Sequence, residues 1–428
     1  MNTKKFGIRA NRGQFLHQLL QVLLVGLTLG MMRNVVPALA ETEFGVPRGS
    51  FMLLAAFVVA FGFVKGTLNF VAGRLAERLG RKRVLLLGWL VALPIPALVY
   101  FATSWAWVVG ATVLLGINQG LTWSMTQTAK LDFTRADQRG LVIGLNEFAG
   151  YVGVAFAGVA TGYLASMLGA RTALLWFGFV VVGCATMLAW LAVAETLPWA
   201  RDEVKRQADA TAQTLRPRYP SGVSALPSTA EMFLLMSWRD RRMAALCQAG
   251  LVEKFVDALV WVFWPVYLHQ KGVSLAGIGW IVGVYGFTWG SAQFFTGRLS
   301  DRLGRHPLNG WGIWICGAGV ALMPLGDGAA WWSLSAAITG LGMAMLYPNL
   351  SAAVADIAHP AWRASAIGIY RFWRDLGYGI GGLALGAAAA IGGQLEAAFW
   401  LVALAMAVSG AVLFRWGEET HPRLNPAR

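Results

Sequence analysis

The sequence predicts an all-α membrane protein, with twelve transmembrane helices arranged as two pseudo-symmetric six-helix bundles. Three observations lead there. The chain of 428 residues is 57% hydrophobic and only 13% charged, which is more apolar surface than a soluble core can hide, so lipid must solvate most of it. Its apolar stretches recur at about 20 to 25 residues, the length an α-helix needs to cross the hydrocarbon layer. Finally, a charged nine-residue segment of the first half returns almost unchanged in the second.

In chain order, the apolar stretches place first-half spans at roughly residues 15–40, 51–72, 84–103, 105–129, 141–165 and 172–195. Second-half spans fall at roughly 243–268, 275–296, 308–326, 330–354, 365–392 and 396–414. Lys4, Lys5, Arg9 and Arg12 precede the first span as in a signal peptide. That span is too long for one, however, and no small-residue cleavage site precedes Glu41–Glu43, so it reads as a retained helix. The organisation is therefore an N-terminal bundle over 1–197, a linker over 198–242 and a C-terminal bundle over 243–428. Pro198, Pro217, Pro220 and Pro227 together with Arg239, Arg241 and Arg242 mark the linker, with a short surface helix expected around Glu231–Trp238.

A net charge of +14 suggests nucleic acid at first sight, but the basic residues sit in short loops between apolar spans rather than on one face. They also alternate by side. With both termini cytoplasmic, only Arg48, Arg171 and Lys271 fall on the far side of the membrane. The positive-inside rule therefore orients the chain, in a bacterial inner membrane, with its termini and linker in the cytoplasm. Cys184, Cys247 and Cys316 are isolated in apolar spans and read as packing residues. His17, His269, His306, His359 and His421 stand at span ends or in loops, none spaced with a cysteine as in a soft-metal cage. No catalytic set or cofactor motif is visible, and nothing in the pattern demands more than a monomer among membrane lipids.

The repeat is the most specific signal. Gly73-Arg-Leu-Ala-Glu-Arg-Leu-Gly-Arg81 returns as Gly297-Arg-Leu-Ser-Asp-Arg-Leu-Gly-Arg305, 224 positions later. In the same register Asp132 falls on Asp356, Arg139 on Arg363, Gly144 on Gly368, Phe148 on Phe372 and Gly153 on Gly377. A duplication of this kind places a solute site between the halves near the middle of the bilayer.

This doubled loop resembles the signature of the major facilitator superfamily, and the resemblance covers the whole chain. It implies a secondary transporter working by alternating access, not an enzyme. It also implies gating roles for Gly73, Glu77 and Arg78 and for their copies Gly297, Asp301 and Arg302. The acids would latch neighbouring helix ends, while glycine allows close helix approach and arginine reaches the headgroups. The fourth span reads Gly116-Ile-Asn118-Gln119-Gly120, with glycine where the proton-antiporter pattern has arginine, and the fifth lacks the Gly-Pro pair of drug exporters. Drug–proton antiport is thereby weakened. The stretches Gly144–Tyr151 and Tyr370–Tyr378 resemble a magnetosome-associated subgroup of the superfamily, which implies iron supplied for magnetite formation, in the magnetosome membrane. Ion-coupled efflux of a small organic or metalloid anion is the alternative, and a transporter-like scaffold a third reading.

Charges inside spans are costly and mark function. Here they are Arg33, Lys65, Glu147, Glu253, Lys254, Asp257, Arg371, Arg374 and Asp375. At the repeat offset Arg33 falls on Asp257 and Glu147 on Arg371, opposite charges at symmetric positions, so both sets are expected to face one another across the path. Glu253 and Asp257 share a helix face and can hold a cation or share a proton, which leaves hard-cation binding and proton coupling open. Asn118 and Gln119 complete the expected solute or coupling site. Tyr347-Pro348-Asn349 reads as a helix break.

Overall fold

A computed structural model describes residues 4–44, 51–214 and 228–425; within these, the side chains of 33–42, 51–58, 207–208, 210–214 and 275–276 are not described. The first bundle contains α1 (Arg12–Glu43), α2 (Phe51–Leu79), α3 (Arg81–Ala92), α4 (Ile95–Tyr100), α5 (Trp105–Phe133), α6 (Arg139–Leu168) and α7 (Ala170–Leu191). Between the bundles lie α8 (Leu197–Thr214) and α9 (Thr229–Leu234). The second bundle contains α10 (Arg241–Ala258), α11 (Trp264–Gln270), α12 (Leu275–Leu303), α13 (Arg305–Leu322), α14 (Ala329–Ile357), α15 (Arg363–Gly392) and α16 (Glu396–Trp416). Twelve spans result, because two are built from paired pieces. Pro94 and Pro96 divide α3 from α4, and a π-helical turn over Leu259–Phe263 joins α10 to α11, where Pro265 removes a backbone donor. Among the described residues, eight helical segments are long and apolar enough, by length and composition, to cross a membrane.

Each bundle has its own apolar core, with Val25, Trp89, Leu115 and Val182 in the first and Trp264, Leu346, Phe399 and Met406 in the second. The outer faces display Phe156, Trp176, Trp190, Phe287, Phe295 and Leu404. Large apolar side chains turned outward all round are what a lipid-solvated bundle requires.

The two halves meet along two seams, α2 against α15 and α6 against α12, and glycine makes both. A Cβ on Gly73 would stand 2.4 Å from Ala364 O, and one on Gly297 2.5 Å from Gly140 O. One turn further in, a Cβ on Gly368 would meet Asn69 O at 2.6 Å and one on Gly144 would meet Gln293 O at 2.7 Å. These contacts are related pairwise by the 224-residue offset, so the internal repeat of the sequence is the pseudo-symmetry of the fold.

Two expectations need correction. Residues 347–349 do not break a helix: α14 runs unbroken through Pro348. Proline denies Ala344 O its usual partner, and the Thr296 hydroxyl donates to it at 2.5 Å instead. The linker holds more helix than the short one expected. Its α9 begins at a Ser228–Glu231 capping box, near the expected place, but α8 adds 18 helical residues.

Candidate functional site: a charged core between two closed seams

Polar side chains that cannot reach water converge at mid-height between the bundles. On α15, Arg371, Arg374 and Asp375 are fully buried. Asp375 accepts from Arg374 Nε at 2.9 Å and from Asn69 Nδ2 at 2.6 Å, with Lys65 Nζ at 3.4 Å. Since Asn69 and Lys65 belong to α2, this network ties the halves together. Asn69 is itself oriented by the Ser124 hydroxyl of α5, 2.6 Å from its Oδ1. Arg371 crosses the interface in the other direction, donating from Nη1 to Gln127 Oε1 of α5 at 2.7 Å. Its Nε and Nη2 are buried with no partner, as is Arg374 Nη1.

The second cluster sits on α10, one turn before the π-helical segment. Lys254 donates to Asp257 at 2.6 Å and stands 3.0 Å from Glu253 Oε1. Asp257 also accepts from the phenols of Tyr285 at 2.9 Å and Tyr378 at 3.1 Å. Glu253 has no such support, and neither of its oxygens receives a well-aligned hydrogen bond. Aromatic rings wall the space between the clusters. Tyr151 and Trp289 lie 4.2 Å apart by ring centre, and Tyr347 takes Lys254 on its ring at 4.1 Å and Arg374 at 4.7 Å.

Glu147 and Arg371 do not pair in this conformation. Glu147 accepts from Trp123 Nε1 at 3.1 Å and from Asn146 Nδ2 at 3.0 Å. Asn118 donates to Gly88 O at 2.9 Å, and Gln119 to Val25 O and Thr28 Oγ1 at 3.1 and 3.0 Å, so both join α5 to its neighbours in the first bundle. The Arg33 side chain lies outside the described residues. Lys130, in the last turn of α5, is also buried and donates to Gln18 O at 3.0 Å.

The duplicated loops close the end of the molecule where both termini lie. Glu77 accepts from Ser365 N at 2.9 Å at the start of α15, and Asp301 accepts from Gly140 N and Leu141 N at 3.0 and 2.8 Å at the start of α6. Each acid therefore neutralises the exposed amides of a helix in the opposite half. Arg78 and Arg302 are exposed. Behind the latches, Arg81 pairs with Asp132 at 2.8 Å and Arg305 with Asp356 at 2.9 Å. Glu195 accepts from Arg81 N and Lys82 N, and Glu419 from Arg305 N and His306 N. Gly80 and Gly304, at φ +95° and +104°, turn the chain there, and a Cβ on either would collide with that carboxylate. Sequence reasoning did not use Glu195 and Glu419, although Glu195-Thr-x-Pro198 and Glu419-Thr-x-Pro422 stand at the same 224-residue offset. It also missed Glu203. This α8 carboxylate bonds the symmetry-related Arg363, at 2.8 and 2.9 Å, and Arg139, at 3.3 Å. Burial pushes it up, but Arg363 and then Arg139 outweigh that and hold it below the usual carboxylate range.

The sequence model of the Major Facilitator Superfamily matches residues 19–252 and again 246–428. The chain belongs to that superfamily. As a major facilitator protein it is a membrane-embedded transporter and not an enzyme. It is 24% identical to an uncharacterized MFS-type transporter of Salmonella typhimurium, over 90% of this chain and 92% of that one. It is 25% identical to a probable 4-methylmuconolactone transporter of Cupriavidus pinatubonensis, over 90% and 85%. Among solved structures, the human organic anion transporter MFSD10 superposes with a TM-score of 0.75 at 17% identity, covering 94% of this chain and 99% of that one. The proton:xylose symporter XylE also gives 0.75, at 14% identity and 97% and 99% coverage. Both share the fold.

Proposed function

We propose that this transporter carries a small organic anion between the two bundles by alternating access, with the end bearing both termini in the cytoplasm of a bacterial inner membrane. In the conformation described, that end is shut. The observation that carries the reading is Arg371. It is a permanently charged group at the seam, wholly buried, with one hydrogen bond to the opposite half and its Nε–Nη2 fork unspent. A buried cation with free donors is costly unless an anion completes it, and a guanidinium fork matches a carboxylate in geometry. Arg374 and Lys65 add positive charge beside it, while Asp375 holds both in place. Glu147, Glu253 and Asp257 belong to the surrounding charge set, and Asn118 and Gln119 stiffen the first-bundle wall. Two similar proteins are named as a probable 4-methylmuconolactone transporter and an organic anion transporter.

Iron for magnetite, which the subgroup resemblance implies, finds less support. Glu147 and Asp257 are each occupied by hydrogen-bond donors. Among the described residues, no three His, Cys, Asp or Glu side chains gather as ligands. The experiment is uptake of labelled organic acids, 4-methylmuconolactone and benzoate included, and of ferrous iron, into proteoliposomes. Arg371→Gln is expected to abolish anion uptake with folded yield unchanged. Iron uptake by the wild type, with no anion moved, would overturn the reading.

A further inference from the structure

The charges of the core are not evenly matched. Around Asp375, the cations Lys65, Arg371 and Arg374 outnumber the carboxylates Asp375 and Glu147, and Lys130 lies two turns further along α5 from Trp123. On α10 the imbalance is reversed: among the described residues, Glu253 and Asp257 are both ion-paired to one cation, Lys254. Lys254 is not divided equally: its hydrogen bond goes to Asp257, which two phenols also serve. Glu253 is left fully buried, with both oxygens lacking a hydrogen bond and only the ion pair at 3.0 Å.

We propose that Glu253 is the proton-coupling group: the transporter moves one proton on Glu253 together with one carboxylate held by Arg371. This rests on the anion reading above. The step makes one O–H bond at a Glu253 oxygen and breaks none in the solute, and the same proton leaves when the site opens to the other side. Loading either charge alone relieves one imbalance and leaves the other uncompensated, whereas loading both relieves each. Coupling follows, because in a low-dielectric core an uncompensated charge resists the closure of both seams. Glu253, not Asp257, is assigned because Asp257 already has three donors. The charged and titratable groups around Glu253 are Lys254 and Asp257 on its own helix, Arg374, Tyr370 and Tyr378 on α15, Tyr347 on α14 and Cys316 on α13. Lys65 of α2 faces Lys254, and α16 carries titratable groups only at its ends, Glu396 and Arg415. Among the described residues, Lys254 at 3.0 Å is the one group within ion-pair distance of Glu253, and its shorter contact is to Asp257.

Infrared difference spectroscopy of the full chain in lipid tests this without any solute. Stepping from alkaline to acid pH is expected to raise a carboxylic-acid C=O band that is lost in Glu253→Gln and shifted in Glu253→Asp. If Glu253→Gln does not fold, the aspartate variant decides, because a band unmoved by that change belongs to another residue. Persistence of the band in Glu253→Gln, or no band at all in the wild type, would overturn the proposal. The latter is also what a site for a zwitterion's ammonium group, with Glu253 always ionised, would show. Because no anion is present, failure here leaves the anion reading standing. That reading falls separately, if Arg371→Gln transports normally.

Discussion

At the scale of single residues, the core is held by ion pairs too deeply buried to be broken singly. Lys254 and Asp257 are both fully buried and 2.6 Å apart. Asp257→Asn removes the better of the lysine's two partners, and stranding a buried charge costs about 3–5 kcal/mol. Thermal unfolding in detergent should show a large loss for Asp257→Asn and for Lys254→Met singly, and much of it restored in the double variant. Additive losses would mean the pair is not coupled. All the groups concerned were visible in the sequence as intramembrane charges, but their partners were not. Opposite charges at symmetric positions suggested Arg33 facing Asp257 and Glu147 facing Arg371. The Arg33 side chain lies outside the described residues; among the described ones, Asp257 is met by its own helix and two tyrosines, and Glu147 by Trp123 and Asn146 rather than Arg371. Neutral donors such as phenol and indole leave no mark in a charge pattern, yet in a dry core they satisfy a carboxylate as directly as a cation does.

At the scale of elements, the two halves are held together at helix ends. Asp301 sits on the first amides of α6, where a full negative charge interacts with the helix N-terminus by about 0.5–2 kcal/mol. Asp301→Asn should therefore slow transport several-fold while folded yield stays near wild type. Loss of folded protein would make the loop structural only. The α8 carboxylate Glu203 adds a clasp on Arg139 and Arg363, and its protonation has a definite sign. Its value in the closed state is depressed by those arginines, so its stabilisation of closure is fully present above about pH 4.3, the ordinary glutamate value. It is lost as pH falls through the depressed one. Spin labels on α2 and α12 should report a shift toward opening at this end in Glu203→Gln at neutral pH, and in the wild type only under acid. Equal distance distributions in the two proteins at neutral pH would remove Glu203 from the gate. The glycine seams belong here too. Gly297→Leu would drive a side chain into Gly140 O, and labelling of that end by membrane-impermeant thiol reagents should rise as the seam is forced apart.

At the scale of the whole molecule, charge distribution predicts an orientation and duplication organises the fold. A Ser221→Cys variant should react with a thiol reagent only from the inner face of the membrane. Labelling in intact cells would reverse the topology. The sequence by itself determined that the chain lives in lipid, that it has two sets of six spans, and that the loops at Gly73 and Gly297 are equivalent. Hydropathy and repetition are properties of residues in order, and they survive without coordinates. The 224-residue register even contained Glu195 and Glu419 for a reader who followed it past the last span. Only the tertiary structure decided which charges meet, that Pro348 leaves α14 unbroken because Thr296 serves the freed carbonyl, and that Glu203 lies between two symmetric arginines. The reason is physical. Spans are set by a solvent that acts on each helix separately, whereas partners in a dry interior are set by packing, where glycine contacts a few ångströms apart fix which side chains from distant helices share the same space.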